Sequence, residues 1–488
     1  MAKFRVRFAP DKFTPKQRQL HEAIKPRKQA PPRRYYRCRY PCRECKQSRS
    51  RCDETYPVCL RCSRRGIICH AAAREEQWQL QLPSLIISPK DKTTVTRCDV
   101  SSLFRDNDER HLLRYWLEKT SRILVACDDE NPFAYPIVEH LYTSQSMLHI
   151  IKSISSAHQH FFHPDQIRDS LEERVMAIAS LREELGSGSQ HLHTLFFSIY
   201  LLGISSSYLD SQLQDFGQEH LEAARTIINI ILAEEASRKH PLTRLLVGTF
   251  VYWDMSCAFL IDSTDSLMYD FEGRIHSFIT EEMSGFSHPI TGPCTELFFV
   301  LSTLGRYIRH VMAYMIRDHD LETVIEAQLL DWKFPEGVSL TMWSQTAEAF
   351  RKHGLIMFYR FCRPDDLYEP SETLFNTSEP SSARYIDLLA RQYAIDIMAS
   401  LSTIPITSTL LALQPIPLLT AGAELTVEDS HLQIEIRTRL LALYSCSRIP
   451  ANLTTAGLLD KIWQLQRQGH RVGWLELLVQ DNMKLRIG

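Results

Sequence analysis

The residues of this chain best placed to do chemistry are six cysteines in the run Cys42-x2-Cys45-x6-Cys52-x6-Cys59-x2-Cys62-x6-Cys69. The run is an internal repeat, because C-x2-C-x6-C occurs twice. Thiols this dense in a reducing compartment are metal ligands, and left free they would be an oxidation liability. A zinc ion takes four ligands in a tetrahedron. Two zincs need eight ligands, and six sulfurs meet that need if two of them bridge. The simpler alternative is a single-zinc ribbon built on Cys42, Cys45, Cys59 and Cys62. It leaves Cys52 and Cys69, at matching offsets, without a role. A seventh nearby thiol, Cys38, has no place in the repeat and is read as spare. The remaining six cysteines are scattered between Cys98 and Cys446.

The charge around the cluster points to a polyanion. Residues 1–70 hold 20 Lys/Arg and 5 Asp/Glu, a balance of +15, while the other 418 residues hold 36 and 53, a balance of −17. The whole-chain charge of −2 conceals this split. A strongly basic end is an electrostatic footprint for nucleic acid. Lys25, Arg27, Lys28, Arg33 and Arg34 additionally form a short basic group of the kind read as a nuclear import signal. No apolar run follows the basic start, so no secretory signal is expected.

The segment resembles the fungal Zn2Cys6 binuclear-cluster transcription factors, whose pattern is C-x2-C-x6-C-x(5–12)-C-x2-C-x(6–8)-C with basic residues between the second and third cysteines. All six cysteines fit. So do Asp53, just after the third cysteine, and Pro57, two before the fourth. The resemblance implies two structural zinc ions. Cys42 and Cys59 would bridge them, Cys45 and Cys52 would complete one site, and Cys62 and Cys69 the other. With every position filled by thiolate, no site remains open for water or substrate. Such a module has almost no apolar core, so metal ligation must supply most of its folding energy.

The resemblance also implies double-stranded DNA as the partner and CGG-type triplets in the major groove as the target. Each half-repeat suits a short helix beginning at its second cysteine, the first over about Cys45–Arg51. Arg49, four residues past the second cysteine, falls where the family reads guanine, and arginine can contact guanine O6 and N7 in bidentate fashion. Ser48 departs from the family, where a second cation is common. Lys46, Arg51, Arg61, Arg64 and Arg65 are expected to touch phosphates and set register.

Behind the cluster the chain reads as all-α. It is glycine-poor, with 17 glycines in 488 residues against a usual share near ~7%. The expected organisation is a basic tail (1–37), the zinc module (38–70), a linker (71–107) interrupted by Pro83 and Pro89, and a large helical regulatory domain (108–488). In the linker Trp78, Leu80 and Leu82 alternate as in a short strand. No sustained heptads follow the cluster, so a coiled-coil dimer there is not expected. A homodimer held elsewhere stays open. Ile167, Leu171, Val175, Ile178, Leu181 and Leu185 recur at helical spacing, as do Leu112, Leu113, Trp116 and Leu117. Asn131-Pro132-Phe133 and the helix carrying Ser153–His158 resemble the helical region often found behind such clusters. A Ser-, Pro- and Glu-rich stretch over about 368–384 is a candidate division. The apolar stretches Leu195–Leu209 and Leu245–Ile261 read as buried core helices, and no membrane partner is expected.

No G-x-G-x-x-G, P-loop, G-x-S-x-G or H-E-x-x-H occurs in the helical region. His158, His160 and His163 do not share one helix face, and His191 and His193 are weaker still as ligands. Asp254, in an apolar run, is read as a capped or paired structural carboxylate. The expected function is therefore a nuclear, sequence-specific transcription regulator and not an enzyme. Its helical region would sense, dimerise or recruit the transcription machinery or co-regulators. The alternatives are a zinc-ribbon interaction protein and an enzyme with an unrecognised helical catalytic domain.

Overall fold

The structure is a computed structural model. It describes residues 41–53, 58–69, 107–127, 131–161, 167–186, 191–209, 215–261, 273–335, 341–362 and 381–487. The expected tail, Cys38, Pro57 and nearly all of the linker, including Trp78, Leu80 and Leu82, lie outside those residues.

Helices carry the architecture, and among the described residues there is no strand, only one bridge between His288 and Gly292. The cysteine segment holds α1 (Arg43–Gln47) and α2 (Leu60–Arg64). The body holds α3 (Asn107–Glu118), α4 (Gln145–Gln159), α5 (Ile167–Gly186), α6 (Leu192–Leu209), α7 (Gln218–Ala233), α8 (Thr243–Ala258) and α9 (Thr295–Tyr314). It continues with α10 (Thr341–Phe361), α11 (Ser381–Ser402), α12 (Pro415–Glu424), α13 (Ser430–Ser447), α14 (Pro450–Arg467) and α15 (Trp474–Gln480), with further helices at Arg274–Glu282 and His319–Asp331 and short helical turns between.

Local chemistry sets several of these packings. Asn131 Oδ1 accepts the N–H of Phe133 at 2.9 Å, and the Phe133 carbonyl accepts the Trp116 indole N–H at 2.6 Å. This loop, singled out in the sequence, thereby pins the fully buried Trp116 of α3 into the core. On α4 and α5, Ser153 and Ser170 each donate their hydroxyl to the other's carbonyl at 2.7 Å, and such small side chains let the two helices approach closely. Lys152, buried in the same seam, is neutralised by Glu109 at 2.9 Å and Glu173 at 2.7 Å.

The expected helix over Ile167–Leu185 forms, but only Leu181 and, in part, Ile178 of its apolar stripe face the core. Ile167, Leu171, Val175 and Leu185 are exposed, and the buried positions are Ser170, Ala177 and Leu181. The reason is the Ser153–Ser170 seam, which needs small residues at the contact and turns the bulky ones outward.

The helix α6 is apolar all round because helices cover it on every side. It is long and apolar enough to cross a membrane, yet 78% of that window is buried inside the protein. Gly203 is required here: a Cβ would collide with the Trp253 ring of α8. Asp254 of α8 joins three helices. Its carboxylate takes Arg225 of α7 at 2.7 Å and both terminal nitrogens of Arg306 of α9. Burial alone would raise its pKa, but the two guanidiniums outweigh that and hold it down to about 2. Asp254 is thus a paired structural carboxylate, as expected.

The candidate division near 368–384 does not split the body. Helices α10 and α11 on either side of it pack against each other, and one apolar core runs from Leu113 to Ile487. Residues 40–488 form one compact unit.

Candidate metal centre and nucleic-acid interface

The two halves of the cysteine repeat are wired alike, seventeen positions apart. In the first, the Cys42 sulfur accepts the N–H of Cys45 at 3.4 Å, and in the second the Cys59 sulfur accepts that of Cys62 at 3.4 Å. Each helix therefore starts right after the first cysteine of its pair, which serves as the N-cap. Each helix also stops in the same way. Arg49 N–H bonds the Lys46 carbonyl and Ser50 N–H that of Cys45; Gly66 N–H bonds Ser63 and Ile67 N–H bonds Cys62. This closure requires a left-handed residue just past the helix. Gly66 supplies it at φ 57° in the second half, and Arg49 supplies it at φ 47° in the first.

This corrects the expected helix over about Cys45–Arg51. It runs over Arg43–Gln47, so Arg49 stands beyond the helix on the turn that ends it. A left-handed backbone costs an L-residue about 1–2 kcal/mol that glycine is spared.

All six thiols are buried and unoxidised. The sulfurs of Cys42, Cys45, Cys52 and Cys59 lie within 4.8 Å of one another, and so do those of Cys42, Cys59, Cys62 and Cys69. The two quartets share Cys42 and Cys59. Among the sulfur pairs, Cys42–Cys59 stand at 3.8 Å, Cys42–Cys62 at 3.7 Å and Cys45–Cys59 at 3.8 Å. Those separations are too long for disulfides. A tetrahedron with Zn–S bonds of ~2.3 Å has edges of about 3.8 Å, so the donor set fits zinc. Desolvation pushes the Cys45 thiol up to about 12 and raises those of Cys62 and Cys69, with hydrogen bonding or repulsion from neighbouring sulfurs adding to the effect. At Cys59 burial is outweighed by hydrogen bonds from Cys62, Cys45 and Cys42, which lower its pKa, and metal binding would replace the protons that the other three hold.

Around the sulfurs, Lys46, Arg49, Arg51, Arg61, Arg64 and Arg65 are all exposed, as are Arg43 and Ser48. Among the described residues none of these cations forms an ion pair. Ser48 caps α1, its hydroxyl donating to the Glu44 carbonyl at 2.7 Å. Asp53 Oδ1 accepts the Leu60 N–H at 3.0 Å and so satisfies an orphan donor at the start of α2.

One partner was not legible. Ser445 of α13 accepts the N–H of Cys69 at 3.1 Å. The two residues are 376 positions apart, and a lone serine in a helix carries no signal of such a contact. Thr438 of the same helix stands beside Gly66.

The other titratable groups singled out in the sequence serve structure. The buried His158 lies within 2.9 Å of the Tyr115 hydroxyl and 3.1 Å of the Cys446 carbonyl, to which its Nε2 donates. Burial, and then the charge of Arg448, holds its pKa down to about 3. His160 ends α4, and His163 lies outside the described residues. His193 stacks near His240 with ring centroids 4.3 Å apart, and His191 is exposed.

Comparison with family models gives the class first: residues 40–79 match the fungal Zn(2)-Cys(6) binuclear cluster domain, which binds two zinc ions. Residues 111–487, most of the chain, match the fungal specific transcription factor domain, and the chain belongs to that family. Comparison with curated proteins and with solved structures found no match. The protein is accordingly a transcription regulator with a DNA-binding zinc cluster and a helical domain behind it.

Proposed function

We propose that the protein reads CGG-type triplets in the major groove, with Arg49 as the base reader, and acts in the nucleus. Cys42, Cys45, Cys52 and Cys59 would hold one zinc and Cys42, Cys59, Cys62 and Cys69 the other. The ions supply a rigid fold, and the residues of the chain do the recognition. Lys46, Arg51, Arg61, Arg64 and Arg65 serve as phosphate contacts, and Ser48, with its hydroxyl turned back to the helix end, adds little to base reading.

The observation that carries this reading is the backbone of Arg49. The sister half puts glycine at the equivalent position, whereas this half holds an exposed arginine in the costlier conformation. Strain retained at an exposed cation is accounted for when the side chain has a task outside the fold. The helical body is read as regulatory and not catalytic, since its buried Asp254 and His158 are engaged in structural bonds. Co-regulators or a second copy would meet its surface, on which α5 leaves Ile167, Leu171, Val175 and Met176 exposed.

Selection of bound sites from random duplexes, followed by two substitutions, tests the reading. Arg49→Gly should relieve the backbone and keep the module folded, yet lose about 1–3 kcal/mol of discrimination at one guanine. Arg64→Ala should weaken all duplexes alike and reduce the salt slope by about 1. An Arg49→Gly protein with unchanged site preference would overturn the assignment.

A further inference from the structure

A small cleft, partly open to solvent, lies between α6, α8, α13, α14 and the segment after α15. Its walls are apolar, with Ile204, Leu443 and Ile487 among them, and three tyrosines, Tyr200, Tyr208 and Tyr252, line it. Arg486 also lines it, at 8% exposure. The guanidinium has one side-chain partner, the Ser207 hydroxyl at 3.2 Å from Nη1, and its Nε has none. The hydroxyl of Tyr208, which is 5% exposed, also lacks a partner. Among the described residues no carboxylate pairs with Arg486.

This is an unusual place for a charge. A guanidinium withdrawn from water costs several kcal/mol unless paired, and buried polar groups are nearly always bonded. Arg225 and Arg306, by contrast, face the Asp254 carboxylate. Among the described residues, the groups that Arg486 acts on are phenols and a thiol. It opposes the rise that burial imposes on Tyr200, whose pKa is still pushed up to about 12, and on Tyr208, Tyr252 and Cys257. The phenols therefore stay protonated and offer hydroxyl donors, so they do not neutralise the cation.

We infer that this cleft is an effector site for a small organic carboxylate with an apolar body. The carboxylate would pair with Arg486 and accept from Tyr208, and the apolar portion would lie against Ile204 and Leu443. The chemistry fits the general form of ligand pockets, apolar walls with a few convergent polar groups. A guanidinium and a carboxylate match in bidentate geometry. The inference goes beyond the DNA-reading function and does not depend on it.

The test uses the full zinc-loaded chain and no DNA, so its failure leaves the reading of the cluster untouched. Phenylacetate and octanoate are titrated by calorimetry beside their neutral amides, phenylacetamide and octanamide. The carboxylates should bind saturably, one per chain, and about tenfold or more tighter than the amides. Arg486→Met should abolish that preference. Ala451→Leu, which fills the cleft and keeps Arg486, should abolish binding of both carboxylates. Equal affinity for acid and amide, preference surviving Arg486→Met, displacement by chloride or phosphate alone, or no saturable binding would each overturn the assignment.

Discussion

Cys42 and Cys59 each accept a backbone N–H at sulfur, and each belongs to both sulfur quartets. Those two thiols are thus held in place by local wiring, while Cys45, Cys52, Cys62 and Cys69 each belong to one quartet. Removing one of the latter spoils a single tetrahedron, but the module has little apolar burial to compensate. The wild-type chain should carry two zinc ions by native mass spectrometry. Cys52→Ala should lose bound metal and duplex binding together, and a Cys52→Ala protein that still binds its site would contradict this. At this scale the spacing of the six cysteines announced the two sulfur quartets, because their geometry is set by sequence distance within one short segment. Asp53 was recognised from the pattern without its task, which is to cap α2. Ser445 was invisible, because its contact depends on how the distant chain returns.

At the scale of elements, periodicity located helices better than it located their ends or their buried faces. The long helix over Ile167–Gly186 is where the spacing places it. The end of α1 was missed because a left-handed stop is read from glycine, and here arginine occupies the position. The inward face of α5 was missed because pattern reading assigns large apolar residues to the core, whereas this seam is closed by serine hydroxyls. Asp254 shows the converse: an apolar surround predicted pairing, though not the partners. Its two arginines come from different helices, so Asp254→Asn should strand two buried cations and cost about 3–5 kcal/mol. Chemical denaturation would measure it. A loss under ~1 kcal/mol would mean that the ion pairs do little to hold α7, α8 and α9 together.

For the molecule as a whole, composition was enough for the all-α class, and the polar break near residue 370 left open whether a single core runs from Leu113 to Ile487, as it does. That core carries a pH liability. Burial holds His158 at about 3, with Arg448 adding to it, and burial holds His288 at about 4 and His353 at about 3. Unfolded histidine titrates near ~6.5, so below that pH the unfolded chain takes up protons that the folded chain refuses. Stability is then full above about pH 6.5 and falls by roughly 1.4 kcal/mol per pH unit for each histidine until the folded value is reached. Three such groups would remove roughly 6 kcal/mol by about pH 5, against a usual total of 5–15. Thermal melts of the helical circular dichroism should shift steeply downward from neutral to mildly acid solution. A flat profile would contradict the buried neutral state of these rings.

The closure shared by both halves of the cluster ends differently in space. Beyond α2 it leans on the body, with Gly66 beside Thr438 and the Cys69 amide tied to Ser445. Beyond α1 it ends in open solvent at Arg49. The near-twofold of the repeat is therefore broken by what stands behind it, and the protein has a front and a back. Under the proposed reading, the half that carries Arg49 would be the one to face the bases. On a lopsided site the heading of the bulky rear would be dictated by the chain itself, with no second molecule needed to choose it.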